Sequence, residues 1–120
     1  YNDKRIILVQ NTNNLSLPRS LNKLLDMARG EYIVRMDADD VSLPERISKQ
    51  VEFMDSHTEI GLSGTARKVY IDGEYKLYNT EESLHINERL LQGNCIAHPT
   101  VIMRKSMLDK YSDASSSAIT

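Results

Sequence analysis

Two short apolar runs, each followed by apolar residues at helical spacing, constrain this chain more than any other feature. RIILVQ (residues 5–10) is continuous, aliphatic and bounded by polar turn formers, so it reads as a strand buried on both faces. After the loop NTNNLS, residues Leu17, Leu21, Leu24, Leu25 and Ala28 fall on one helical face, with Ser16 or Leu17 at the cap, Pro18 in the first turn and Gly30 ending the helix. EYIVRM (31–36) reads as the second strand. VSLPERISKQVEFMDSH (41–57) then reads as a second amphipathic helix, with Ser42 a cap candidate, Pro44 and Glu45 in its first turn, and Leu43, Ile47, Val51 and Met54 on its apolar face. A third strand starts near Ile60. Strands alternating with single helices predict right-handed βαβ crossovers, and so an α/β fold with a mainly parallel sheet flanked by helices.

The second half is less regular. LSGTARKVYIDGEYKLYN (62–79) predicts a hairpin turning at Asp72 and Gly73, SLHINERLLQ (83–92) a helix and PTVIMR (99–104) a strand. SDASSSAIT is low in complexity, which predicts a domain over residues 1–110 and a disordered tail over 111–120. At 120 residues the chain is the size of one small domain, and its 15 basic and 17 acidic residues are dispersed. Such a charge pattern argues against nucleic acid as a partner. One cysteine, Cys95, excludes an internal disulfide framework and a cysteine-based zinc site, in keeping with a reducing compartment. No run approaches the ~20 apolar residues of a membrane span, and YNDKRI lacks the pattern of a signal peptide. The expected location is the cytoplasm, or the cytoplasmic face of the membrane.

Ligands of such sheets gather at the carboxyl ends of strands. Asp37, Asp39 and Asp40 stand at that end of EYIVRM. Two unit charges ~5 Å apart repel by roughly 3 kcal/mol at an effective dielectric near 20, so three carboxylates there call for a neutralising partner. A hard divalent cation, Mn²⁺ or Mg²⁺, takes such donors, commonly one or two carboxylates plus substrate phosphates. The plainer alternative is that Asp39 or Asp40 starts the next helix while the others face water. A calcium loop is excluded, because Val41 and Ser42 stand where a third ligand and a glycine are needed.

The segment LNKLLDMARGEYIVRMDADDVSLPERISKQVEFM (21–54) closely resembles the central part of the family 2 glycosyltransferases, GT-A-fold enzymes that use nucleotide-diphosphate sugars. Strong resemblance covers residues 4 to 57 and rests on MDADD, LPER and the Lys49–Gln50 pair; IAHPTVIMRKS matches a looser family pattern. The resemblance implies a metal-dependent, inverting transfer of sugar to a glycan or lipid-linked acceptor. Asp39 would hold the cation that bridges the diphosphate, Asp37 would lie near the ribose or sugar and add to the metal site, and Asp40 would assist from the turn. Many members carry Arg-Asn in the first helix where Leu21 and Asn22 stand here, so arginine contacts to the nucleotide would come from Arg19 or Arg35, beside Asn22. NLSL places Ser16 where the family has glycine.

The resemblance further implies a base-binding unit before Tyr1 and a Glu-Asp motif, carrying the catalytic base, after Thr120. Asp113 has no surroundings that match this motif, so the catalytic residue is unassigned and the chain by itself is expected to be inactive. The family sheet also has strands between segments 5–10 and 32–36, which this chain must replace by re-pairing or leave as open edges. Two other readings are a haloacid-dehalogenase-like phosphatase, with Asp37 as nucleophile and Asp39 beside it, and a non-catalytic interaction or remnant domain. Arg35 interrupts the apolar strand and LPER has no place in the phosphatase pattern. His98 reads as a turn histidine or an acceptor-site residue, His57 and His85 as exposed helical positions, Cys95 as a small buried side chain, and Tyr70, Tyr75 and Tyr78 as hairpin packing.

Overall fold

The computed structural model describes residues 2–78 and 95–112. In chain order these form α1 (Leu17–Met27), β1 (Tyr32–Val34), α2 (Arg46–Ser56), β2 (Leu62–Ser63), β3 (Arg67–Ile71), β4 (Glu74–Tyr78), a 3₁₀ turn (His98–Thr100), β5 (Ile102–Arg104) and α3 (Lys105–Ser112). The expected helix over 83–92, with His85, and Asp113 lie outside the described residues. α3 extends through Tyr111 and Ser112, two positions into the stretch expected to be a tail.

The sheet corrects the expected parallel arrangement. Its strand order is β1-β5-β2, and β5 runs antiparallel to both neighbours, with Ile33 opposite Met103 and Leu62 opposite Met103. β1 and β2 therefore share a direction and are joined through α2, as a crossover requires, but a strand from much later in the chain is inserted between them. Every ladder among the described residues is antiparallel. Among the described residues the buried apolar side chains are Val101 and Ile102 of the sheet region and Met54 of α2.

The expected strand over residues 5–10 does not form. The segment has no ladder partner among the described residues, and Ile6, Ile7 and Leu8 are exposed. It lies instead along α1, where Ile7 and Val9 meet Leu24, Met27 and Ala28 around a shallow cavity of about 160 Å³. Asn11 fastens its end, donating to Ser20 Oγ at 2.9 Å and accepting from Lys23 Nζ at 3.2 Å.

Hydrogen bonds near both ends of β5 hold α2 in place. Gln50 Nε2 donates to the Thr100 carbonyl at 2.8 Å, just before the strand. At the other end Arg104 donates to the carbonyls of Met54, His57 and Ile60, which closes the carboxyl end of the helix. This pairing also corrects the expected face of α2. Leu43 and Ile47 are exposed, and the buried positions are Gln50 and Met54. The helix starts at Arg46 with Glu45 at its cap, so Ser42 does not cap it. The hairpin forms as expected: Ile71 pairs with Glu74, and Asp72 (φ 53°) and Gly73 (φ 86°) both take the positive angles of a type I′ turn.

Candidate functional site

β1 ends at Val34, and the chain then crosses the edge of the sheet into the acidic turn. Arg35 is anchored on both sides of its peptide: its N–H donates to the Val101 carbonyl at 3.1 Å, and its own carbonyl accepts from Arg46 Nη2 at 2.8 Å. The Asp40 N–H donates to the Asp37 carbonyl at 3.2 Å, closing a tight turn with Ala38 and Asp39 at its tip. Asp39 and Asp40 are exposed and Asp37 is half-buried.

The charge of Asp37 is met by Arg35. Its Oδ1 accepts from Arg35 Nε at 3.3 Å and Nη2 at 3.1 Å, while Arg35 Nη1 lies 3.3 Å from Nδ1 of His98. The Arg35 side chain is only 18% exposed, against 39% for Asp37, so solvent screens this pair less than a fully exposed one. Beneath it is a second link. Arg46 Nε donates to Gln50 Oε1 at 3.1 Å, and Gln50 passes the connection to Thr100, whose hydroxyl donates to the Ala97 carbonyl at 2.8 Å and accepts from the Thr65 N–H at 3.2 Å. Two layers of polar contacts thus join the acidic turn to the turn bearing His98.

Among the described residues no three His, Cys, Asp or Glu side chains are grouped closely enough to hold a metal unaided. A hard divalent cation needs only one or two carboxylates when substrate phosphates complete its shell. Exposed Asp39, together with Asp37, whose Oδ2 takes no part in the Arg35 pair, fits that requirement.

The profile of the glycosyl transferase family 2 matches residues 1–112. The chain belongs to that family. Family membership carries the GT-A α/β fold and settles the choice against the phosphatase. An uncharacterized glycosyltransferase of Methanocaldococcus jannaschii is 31% identical over 118 residues, covering 90% of this chain and 39% of that protein. The O-antigen biosynthesis glycosyltransferase WbnJ of Escherichia coli is 36% identical over 93 residues, 76% of this chain and 36% of the relative. The amylovoran biosynthesis glycosyltransferase AmsE of Erwinia amylovora is 43% identical over 61 residues, 51% of this chain and 23% of the relative. The chain spans about two fifths of the length of the relatives that match most of it.

Of the residues singled out in the sequence of this family 2 member, Arg35, Asp37, Asp39 and Asp40 share one strand end. Arg19 and Asn22 stand exposed on α1, and among the described residues neither bonds to that turn. Arg46 and Gln50 were not expected at the site; His98, expected as a turn histidine or an acceptor-site residue, stands in the 98–100 turn beside Arg35. The spacing of Arg46, Gln50 and Met54, four residues apart on α2, was the available signal, obscured by the stronger apolar spacing of Leu43, Ile47, Val51 and Met54. Lys49 faces away and pairs with Glu45 at 2.6 Å. The tyrosines pack within the hairpin, Tyr70 against Tyr75 at 5.0 Å and Arg67 over Tyr78 at 5.7 Å, while remaining exposed to solvent. His57 is half-buried at the end of α2 and stacks on Phe53 at 4.3 Å. Cys95 is half-buried. No helix among the described residues is long and apolar enough to cross a membrane.

Proposed function

We propose that the strand end at Asp37–Asp40 binds the diphosphate of a nucleotide-diphosphate sugar together with Mn²⁺ or Mg²⁺, as part of an inverting glycosyltransferase acting on a glycan or lipid-linked acceptor at the cytoplasmic face of the membrane. The observation that carries this reading is the tight turn after β1, which presents Asp39 at its tip and leaves Asp37 Oδ2 outside the pair with Arg35. Asp39 and Asp37 hold the cation, Asp40 supports the turn, and Arg35 is proposed to contact a phosphate from beside Asp37. A bound divalent cation supplies charge compensation as the nucleoside diphosphate departs. Arg19 and Asn22 are proposed to meet the nucleotide from α1. The relatives named for O-antigen and amylovoran biosynthesis favour a glycan acceptor.

An inverting transfer also needs a base within hydrogen-bond reach of the acceptor hydroxyl. These 120 residues contain no match to the family's Glu-Asp motif, so the chain alone is proposed to bind nucleotide without transferring sugar. Paramagnetic broadening tests the site. In the presence of UDP, substoichiometric Mn²⁺ should first erase the amide signals of residues 37–40. Broadening centred elsewhere, for example at Asp72 and Glu74 of the hairpin, would contradict the assignment.

A further inference from the structure

The acidic turn and the turn bearing His98 come from distant parts of the chain, and the link beneath them is buried. Gln50 is 4% exposed and both ends of its amide are used: Oε1 accepts from Arg46 and Nε2 donates to the Thr100 carbonyl. Arg46 in turn donates to the carbonyl of Arg35, the residue whose side chain meets both Asp37 and His98. One amide side chain on α2 therefore connects the peptide at the start of the acidic turn to the peptide that ends the 98–100 turn.

We infer that Gln50 is a positioning residue for the acidic site: through Arg46 and Thr100 it sets where Arg35 sits, and thereby which oxygen of Asp37 is left for a ligand. This rests on the nucleotide-sugar reading of Asp37 and Asp39. An amide suits the position because it both accepts and donates. Gln50→Met keeps the length and removes both functions. Gln50→Glu keeps an acceptor for Arg46 but, when ionised, has no donor for the Thr100 carbonyl. Each leaves a buried polar group unpaired, so the two turns are free to shift against each other.

The primary readout is the Arg35 Nε–H resonance of the ligand-free chain, a probe of the Arg35–Asp37 contact that a generally less stable but unshifted site would leave in place. In the wild type it should be resolved and protected from solvent exchange. In folded Gln50→Met it should move toward the free-arginine position and exchange faster. The same change in Gln50→Glu supports the inference if the methionine variant does not fold. An unchanged signal in either folded variant overturns it. The second readout is calorimetric UDP affinity with and without Mn²⁺, where the variants should lose about 10-fold or more of the metal-dependent gain, as expected for residues that orient a metal site's ligands. Equal gains in wild type and variant overturn the inference. Absence of any gain in the wild type counts against the nucleotide-site reading instead, and the Arg35 resonance still decides the role of Gln50.

Discussion

Ser16 should be replaceable by glycine with a gain in stability. It stands just before α1 with φ 66° and ψ 162°, a region of backbone space that is essentially reserved for glycine and costs a side-chain-bearing residue about 1–3 kcal/mol. The serine gains nothing in exchange. Its hydroxyl makes no capping bond, and the contacts at this position are made by its backbone: its N–H donates to Asn14 Oδ1 at 3.0 Å, and its carbonyl accepts from the Ser20 N–H at 3.2 Å and Ser20 Oγ at 2.8 Å. All three survive in Ser16→Gly. Opposing the relief is the larger conformational freedom of glycine in the unfolded chain, about 0.5–1 kcal/mol. The net expectation is about 1 kcal/mol of stabilisation, which corresponds to a rise of roughly 4 °C in Tm for a domain of this size. Urea denaturation of wild type, Ser16→Gly and Ser16→Ala measures it. The alanine variant retains a Cβ and should show no gain. A glycine variant no more stable than the alanine variant would refute the strain argument.

Arg104 should be the least replaceable charged residue of the sheet. Arg104→Ala removes the guanidinium from the carbonyls of Met54, His57 and Ile60, of which the first two keep a backbone N–H donor, with an expected loss of about 2 kcal/mol, and Arg104→Lys should restore less than half of it; a loss below about 1 kcal/mol in urea unfolding would contradict this role. Tyr32 donates to Asp55 Oδ1 at 2.5 Å, and this bond, with some desolvation and against the opposing effect of Arg104, raises the phenol above its usual pKa. Because the protonated phenol is favoured in the fold, its contribution to stability is present below the ordinary tyrosine pKa and is lost as pH rises through the raised one. Asp55→Asn should bring one phenolate transition in the ultraviolet titration back toward the ordinary range, and an unchanged titration would show that Asp55 is not the cause.

What could be read from the sequence was local. The Asp72–Gly73 turn, the helical spacing from Leu17 to Ala28 and the clustered aspartates after EYIVRM each depend on residues within one element, and each is found where expected. The failures depend on partners far along the chain. A continuous apolar run such as RIILVQ announces a need for neighbours but cannot say whether they are present, and here it rests on α1 without a ladder. Insertion of β5 between β1 and β2 leaves no periodic trace in either strand. The buried face of α2 was misjudged because Gln50 is drawn inward by a carbonyl fifty residues away, a bond worth making only in the folded sheet. The same holds at the site. Three aspartates could be named at once, whereas the contact of Arg35 with His98, 63 residues apart, required the antiparallel register of β5.

Calorimetric titration of UDP into the chain, with and without Mn²⁺, tests the central claim most directly. The carboxylates of the acidic turn repel a diphosphate whose charge nothing offsets, so affinity without metal should be low, and Mn²⁺ should raise it through Asp37, Asp39 and the diphosphate. Asp39→Asn should abolish that rise while leaving the fold and the metal-free affinity unchanged. Equal affinity with and without Mn²⁺, or a rise that persists in Asp39→Asn, would contradict the assignment of this strand end as the metal and diphosphate site.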